Sequence, residues 1–302
     1  MSADQTIDHD SWNYSPAKLP RQSKVTLGQI HGVLPFTGVR NPGFRSSSSH
    51  RVWLTYKTAA DDFMPKVGIA ESAAEAAVAH EFLLSPNLYD LRFQPLTVQF
   101  RGIGSKPRSY THDLLATFVD GRRVLVFVRN SDSLEKPKTW RDIEAIQAAT
   151  PSSAADSMII VDAGRYSRQR RENLFRLHEA IQTPNPEFDD IVLWRACNHR
   201  SLWLMRDLFS LLDLPQKTVF KSCHRLIARG ALRANLDHVI AEWSRIEVAS
   251  WRSRLATTSK PEPKSWSRGA TSCSARSVRK AMSWRTRWAA RRVSLGFRPS
   301  SN

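Results

Sequence analysis

Asp120-Gly121, set between two apolar stretches, limits the folds open to this chain more than any other pair of residues. The pair tolerates the positive φ angles of a type I′ turn, so it predicts a hairpin joining Ser109–Val119 to Arg123–Arg129. The returning stretch contains VLVFV, apolar on both faces, which suits the buried middle of a sheet. A chain with a central strand of this kind needs helices on both faces of the sheet, and the flanking sequence supplies them.

Glu71 to Leu84 reads as a helix with Ser72 as N-cap and Val78 and Phe82 on one face. Leu91–Phe100 reads as a further strand, Trp140–Ala148 as a helix, Met158–Asp162 as a short buried strand, Arg168–Gln182 as a basic amphipathic helix and Ile191–Trp194 as a strand. Strands alternating with helices after an initial hairpin predict an α/β fold with a sheet of mixed direction. Beyond it, Ser201–Leu212 and Gln216–Ala228 read as two helices joined at Leu214-Pro215, followed by Gly230 and a short ALRANL segment. Two readings stay open there: a small winged-helix module, or a helical cap on the first domain. The chain thus divides into an irregular N-terminal arm (1–50), an α/β domain (51–197), a helical or winged-helix domain (198–251) and a basic tail (252–302).

Charge qualifies the choice of partner. The formal charge is +17, which by itself points to a polyanion. Residues 252–302 hold thirteen Lys/Arg and one acid, Glu262, so +12 lies there and +5 in the first 251 residues. The tail has no helical or strand periodicity, and three readings of it remain: a phosphate-gripping arm whose tryptophans (Trp266, Trp284, Trp288) stack on bases, a solvated tail, or out-of-frame text. No stretch approaches the roughly 20 apolar residues of a membrane span. The acidic, polar start and the scattered Cys197, Cys223 and Cys273 lead to the expectation of a reducing, cytoplasmic setting.

The chemistry-bearing residues run from Glu71 to Asn130. A helical carboxylate, Glu75, is followed by SPNLYDLRFQP ending in Gln94-Pro95, then Tyr110-Thr111-His112-Asp113, the Asp120-Gly121 turn and VLVFVRN. In this order they resemble the N-terminal nuclease domain of the TnsA family, the endonuclease subunit of heteromeric cut-and-paste transposons, within the PD-(D/E)xK restriction-endonuclease-like superfamily. The segment RYSRQRRENLFRL (165–177) is similar to that family's basic helix, and the resemblance covers about residues 30–245. It implies Mg²⁺- or Mn²⁺-dependent hydrolysis of DNA at transposon ends, beside a transposase subunit that cuts the other strand. Divalent cations neutralise charge at the scissile phosphate and lower the pKa of an attacking water, and such hard ions take oxygen ligands. The resemblance implies Glu75 and Asp113 as metal carboxylates and Arg129 as the cation near the phosphate. Arg168 and Arg171, with Lys217, Lys221 and Arg225 on the second helix of the C-terminal pair, are the DNA-binding candidates.

This chain departs from the family pattern at three positions. His112 stands where the family has Pro, Phe127 where it has Glu or Gln, and Arg129 where it has Lys. A phenyl ring ligates no metal, whereas Arg129 keeps the charge but stays protonated and cannot act as a base. Asp132 and Glu135, just beyond the strand, are conceivable replacement carboxylates. The alternatives are a non-catalytic DNA-binding or assembly subunit of the same fold, or a decayed mobile-element product. Each residue also has a plainer reading: Glu75, three after Ser72, completes a capping box, Asp113 is an edge-strand charge, and the arginines line a solvated helix face. Cys197, His199, Cys223 and His224 contain no CxxC pair, and no phosphate-cradling glycine motif is present.

Overall fold

The computed structural model describes residues 30–40, 51–102, 106–199, 204–249 and 291–293. Most of the N-terminal arm and, apart from a three-residue strand, the basic tail with its tryptophans and Cys273 therefore lie outside the described residues. The chain is mixed α/β, with a mixed sheet flanked by helices. A two-stranded hairpin comes first, β1 (Val52–Tyr56) and β2 (Lys66–Ala70), paired antiparallel. Helix α1 (Ala73–Leu83) follows, then β3 (Leu88–Phe93), β4 (Thr97–Phe100), β5 (Arg108–Thr111), β6 (Leu114–Phe118) and β7 (Arg123–Arg129). After a single turn, α2 (Ser131–Leu134), come α3 (Pro137–Ala149), β8 (Ser157–Asp162) and α4 (Arg168–Gln182). The C-terminal part is α5 (Pro186–Cys197), α6 (Met205–Leu211), α7 (Gln216–Ala228), β9 (Leu232–Ala234) and β10 (Ile246–Val248), with β11 (Arg291–Val293) far along the chain.

In the main sheet the order is β11-β8-β7-β6-β3. β3 runs antiparallel to β6 and β6 antiparallel to β7, β8 lies parallel to β7, and β11 pairs antiparallel with β8. β7 is central, as its double-sided apolar run requires. Its even-numbered valines face one way, with Val126 and Val128 against Ala76, Val78, Ala79 and Phe82 of α1 and Leu174 of α4. Leu125 and Phe127 face the other way, against Ile143 and Ile146 of α3 and Met158 and Ile160 of β8. This is the period-2 alternation of a strand between two layers.

The long strands expected at 91–100 and 109–119 are each two strands with a break. The first breaks at Gln94, whose φ of +48° ends the β3 ladder ahead of Pro95. The second breaks at His112 and Asp113, so that β4 and β5 pair with each other while β3 and β6 remain in the main sheet. The hairpin turn also differs from the expected type I′. Only Gly121 of the pair has positive φ (+84°), with Gly121 N–H donating to Phe118 O (2.9 Å) and Phe118 N–H to Arg122 O (2.9 Å). That is a three-residue connection closed by a left-handed glycine. Ile191–Trp194, expected as a strand, lies inside α5. An apolar run of four does not tell strand from helix, and Asn185 as N-cap, Pro186 at the first position and Glu187 and Asp189 in the first turn decide for helix.

A second apolar core forms around α7. It joins Leu177 of α4, Val192 and Ala196 of α5, Met205 and Leu208 of α6, Val219, Cys223 and Leu226 of α7, and Leu232 and Ile246 of the β9–β10 pair. α4 thus serves both cores, Leu174 in one and Leu177 in the other. The β9–β10 connection is tied to the same helix: Asn173 Nδ2 donates to Leu236 O and His238 O, both at 2.7 Å. Arg170 reaches Glu81 of α1 (3.0 Å) and Asp237 (3.7 Å). Among the described residues no helix is long and apolar enough to cross a membrane.

Candidate functional site

The start of α1 places the first carboxylate. Ser72 Oγ accepts from Glu75 N–H at 3.2 Å, the N-cap half of the expected capping box. Ser72 Oγ also donates to Glu75 Oε1 (3.2 Å). The reciprocal half is displaced by one residue: Glu75 Oε2 accepts from the N–H of Glu71 (2.8 Å), which precedes the cap, and these bonds hold the half-buried carboxylate. Burial, then the negative charge of Asp113 and that of Glu71, push Glu75 up to about 8, against the opposing hydrogen bonds from Glu71 and Ser72.

Asp113 sits in the break between β5 and β6. The β6–β7 register pairs Leu114 with Val126, which sets Asp113 beside the end of β7. Its Oδ2 accepts from Val128 N–H (2.8 Å) and from the Tyr110 hydroxyl (3.1 Å), and its backbone carbonyl accepts from Gln94 N–H (2.9 Å). Burial raises Asp113 to about 6, opposed by the charge of Arg129 and by these two side-chain bonds. Tyr110 in turn is raised well above its ordinary value, by burial and then by Asp113. The charge of Asp113 thus reaches Glu75, and that of Arg129 reaches Asp113, which brings α1, the β5–β6 break and β7 to one locality.

Arg129 stacks its guanidinium over the rings of Phe127 (4.3 Å) and Tyr110 (5.3 Å) and donates to Val128 O (2.9 Å). Phe127, two residues earlier on the same strand face, is 2% exposed, with its ring 4.9 Å from Tyr110. The position to which the resemblance assigns a second acid is thus a buried phenyl ring, between core apolar residues and the Arg129 guanidinium. His112 is fully buried, with Nε2 3.0 Å from Thr150 Oγ1, and burial lowers it to about 4, so at neutral pH it is uncharged. Asp132 and Glu135 are both exposed, outside the cluster.

Two participants were not singled out from the sequence. Glu71 is ion-paired to Arg40 (2.8 Å) and accepts from Gln94 Nε2 (3.1 Å). Gln94 was noted only as half of a dipeptide. The signal for Glu71 was its place one residue before the cap, and the signal for Gln94 was the interruption of an otherwise continuous strand.

The DNA-binding candidates lie on α4 and α7. Arg168 is exposed in the first turn of α4, and Arg171 is half-buried. Lys217 and Lys221 are exposed on α7. Arg225 is different: it is 3% exposed, donates from Nε to both oxygens of Asp189 (2.8 and 3.0 Å) and from Nη2 to Ser222 Oγ (2.8 Å). Its guanidinium is engaged inside the fold, where Asp189 also takes Arg229 (2.8 Å). The sequence placed Arg225 one helical repeat from Lys221 but could not reveal an acid 36 residues away.

Chemically, the cluster offers hard oxygen donors, two mutually repelling carboxylates and a fixed cation. A divalent ion between Glu75 and Asp113 would relieve that repulsion, so the donor set fits Mg²⁺ or Mn²⁺ with solvent completing the shell. Among the described residues no group of three His, Cys, Asp or Glu side chains is placed to hold a metal ion. The chain matches no protein-family model and no curated protein.

Proposed function

We propose that the protein is a TnsA-like DNA endonuclease subunit with a restriction-endonuclease-like core, acting at transposon ends beside a transposase partner. The observation that carries this reading is the meeting of Glu75, Asp113 and Arg129 at one end of the central strands. A bound Mg²⁺ or Mn²⁺ would supply Lewis-acid charge and a more acidic attacking water. Glu75 and Asp113 hold that ion, while the capping bonds of Glu75 and the Val128 and Tyr110 bonds of Asp113 fix the two carboxylates in place. Arg129, ordered by its two aromatic neighbours, holds the scissile phosphate. It cannot accept a proton, so the second role of the family's lysine is missing.

The C-terminal part is read as a winged helix. Support comes from its order, helices α5, α6 and α7 followed by the β9–β10 pair, with a single bridge between Leu204 and Arg245 beside it. Lys217 and Lys221, on the exposed side of α7, take phosphates, together with Arg168 and Arg171 of α4. Arg225 is left out of that surface because it is paired inside.

A second reading, a non-catalytic DNA-binding or assembly subunit, is favoured by one observation, the burial of Phe127 at the place of a ligand. Full-length protein assayed with Mg²⁺ or Mn²⁺ and the partner transposase on transposon-end DNA separates the two. Metal-dependent nicking that Asp113→Ala lowers about 100-fold or more is the expected result. Equal nicking by Asp113→Ala and the parent removes the metal-site assignment, and DNA binding without any nicking establishes the second reading.

A further inference from the structure

Gln94 is 6% exposed, and its Oε1 has no hydrogen-bond partner. Every other polar atom of the residue is engaged around the cluster. Its N–H donates to Asp113 O (2.9 Å), its carbonyl accepts from Val39 N–H (3.0 Å), and its Nε2 donates to Glu71 Oε1 (3.1 Å). The carboxylate of Glu71 only accepts, so the nitrogen end of the amide must face it and the oxygen is the atom left over. The residue also holds a left-handed backbone, φ +48°, uncommon for a side chain of this size. A buried amide oxygen without a donor is rare in folded proteins and calls for an explanation.

We infer that Gln94 Oε1 is an oxygen ligand of the divalent-cation site, binding the ion directly or through one of its waters and replacing the donor lost at Phe127. The inference rests on the metal-site reading of Glu75 and Asp113. An amide oxygen is the same hard, neutral donor that a glutamine on β7 would have supplied. Here it arrives from the β3–β4 break instead, anchored to the Asp113 carbonyl through its backbone N–H and, through the amide nitrogen, to Glu71, whose own N–H is held by Glu75. The left-handed step ahead of Pro95 comes where the β3 ladder ends, one residue after Phe93.

Calorimetric titration of the full-length protein with Mn²⁺ alone, without DNA, tests this. The parent should bind, and Gln94→Met, similar in length but without the oxygen, should weaken Mn²⁺ about tenfold or more. Gln94→Glu should bind as tightly as the parent or more tightly. An unchanged affinity in Gln94→Met, with circular dichroism showing a folded protein, overturns the inference while leaving the metal site intact. If Gln94→Met does not fold, Gln94→Glu decides, and weaker binding by that variant than by the parent overturns it. If the parent binds no Mn²⁺, or if Glu75→Gln with Asp113→Asn keeps full affinity, the metal-site reading itself falls and takes this inference with it.

Discussion

Two groups of charges in this molecule are built on opposite principles. In the C-terminal core Asp189, 1% exposed, faces both Arg225 and Arg229, and Ser222 accepts from the same guanidinium. At the end of the main sheet stand three carboxylates, Glu71, Glu75 and Asp113, and among the described residues Arg40, largely exposed, pairs with Glu71 while the charge of Arg129 acts on Asp113. Compensation in the first case makes the charges a structural fastening. In the second the carboxylates outnumber the cations, and two of them, Glu75 and Asp113, are pushed above their ordinary values. The balance of partners, more than burial, separates the two groups.

Removing one side of the compensated group gives the largest expected effect. Asp189→Ala leaves Arg225 buried and unpaired, and should cost about 3–5 kcal/mol in chemical denaturation. A loss below about 1 kcal/mol would break the comparison, because Asp189 would then be no fastening.

The uncompensated group should respond in the opposite sense, through pH. Glu75 rises from an ordinary 4.5 to about 8 and Asp113 from 3.8 to about 6. Groups raised in the folded state give stability that is fully present below about pH 4 and lost as pH climbs from there toward 8. The buried pair His80 and His178, stacked at 4.9 Å, runs the other way. Burial lowers these rings to about 3 and about 4 from 6.5, so their contribution is present above pH 6.5 and lost on acidification below it. Melting temperatures of the metal-free protein across pH 4–8 should show Glu75→Gln gaining on the parent toward pH 8, by about 1–2 kcal/mol after allowance for solvent screening. A parallel pair of profiles would count against the raised carboxylate.

The smallest effect is expected on the α7 surface. Lys217→Ala and Lys221→Ala should leave stability within about 0.5 kcal/mol and reduce the slope of log affinity against log salt by about one each. Unchanged slopes would place the DNA surface elsewhere.

The regularity of the fold was legible where local sequence agrees with tertiary need. α4 and α7 begin and end where their patterns begin and end, because Ser167 caps one and Gly230, with φ +67°, follows the other. The buried strand β7 and the Ser72 cap were legible for the same reason. What escaped depends on distant partners. The β1–β2 hairpin has a short alternating pattern that becomes a strand pair only through its register, Leu54 against Gly68. Arg225 looks like one more cation on a basic helix until Asp189 comes in from α5. Glu71 and Gln94 carry no signature of their own, and their roles arise from contact across 23 residues. Of the cluster, the motif order marked Glu75, Asp113 and Arg129, while Glu71 and Gln94 became visible only in three dimensions.

The double membership of α4 has one more consequence. Leu174 and Leu177 lie one turn apart on a single helix yet belong to separate cores, and Asn173, immediately before them, clamps the β9–β10 connection. A helix used this way is a party wall: neither room stands after it is taken down. The two halves of the described chain should therefore melt as a single cooperative unit, and a fragment cut after α4 or α5 would display an apolar seam along Leu177 and Val192 instead of a finished surface.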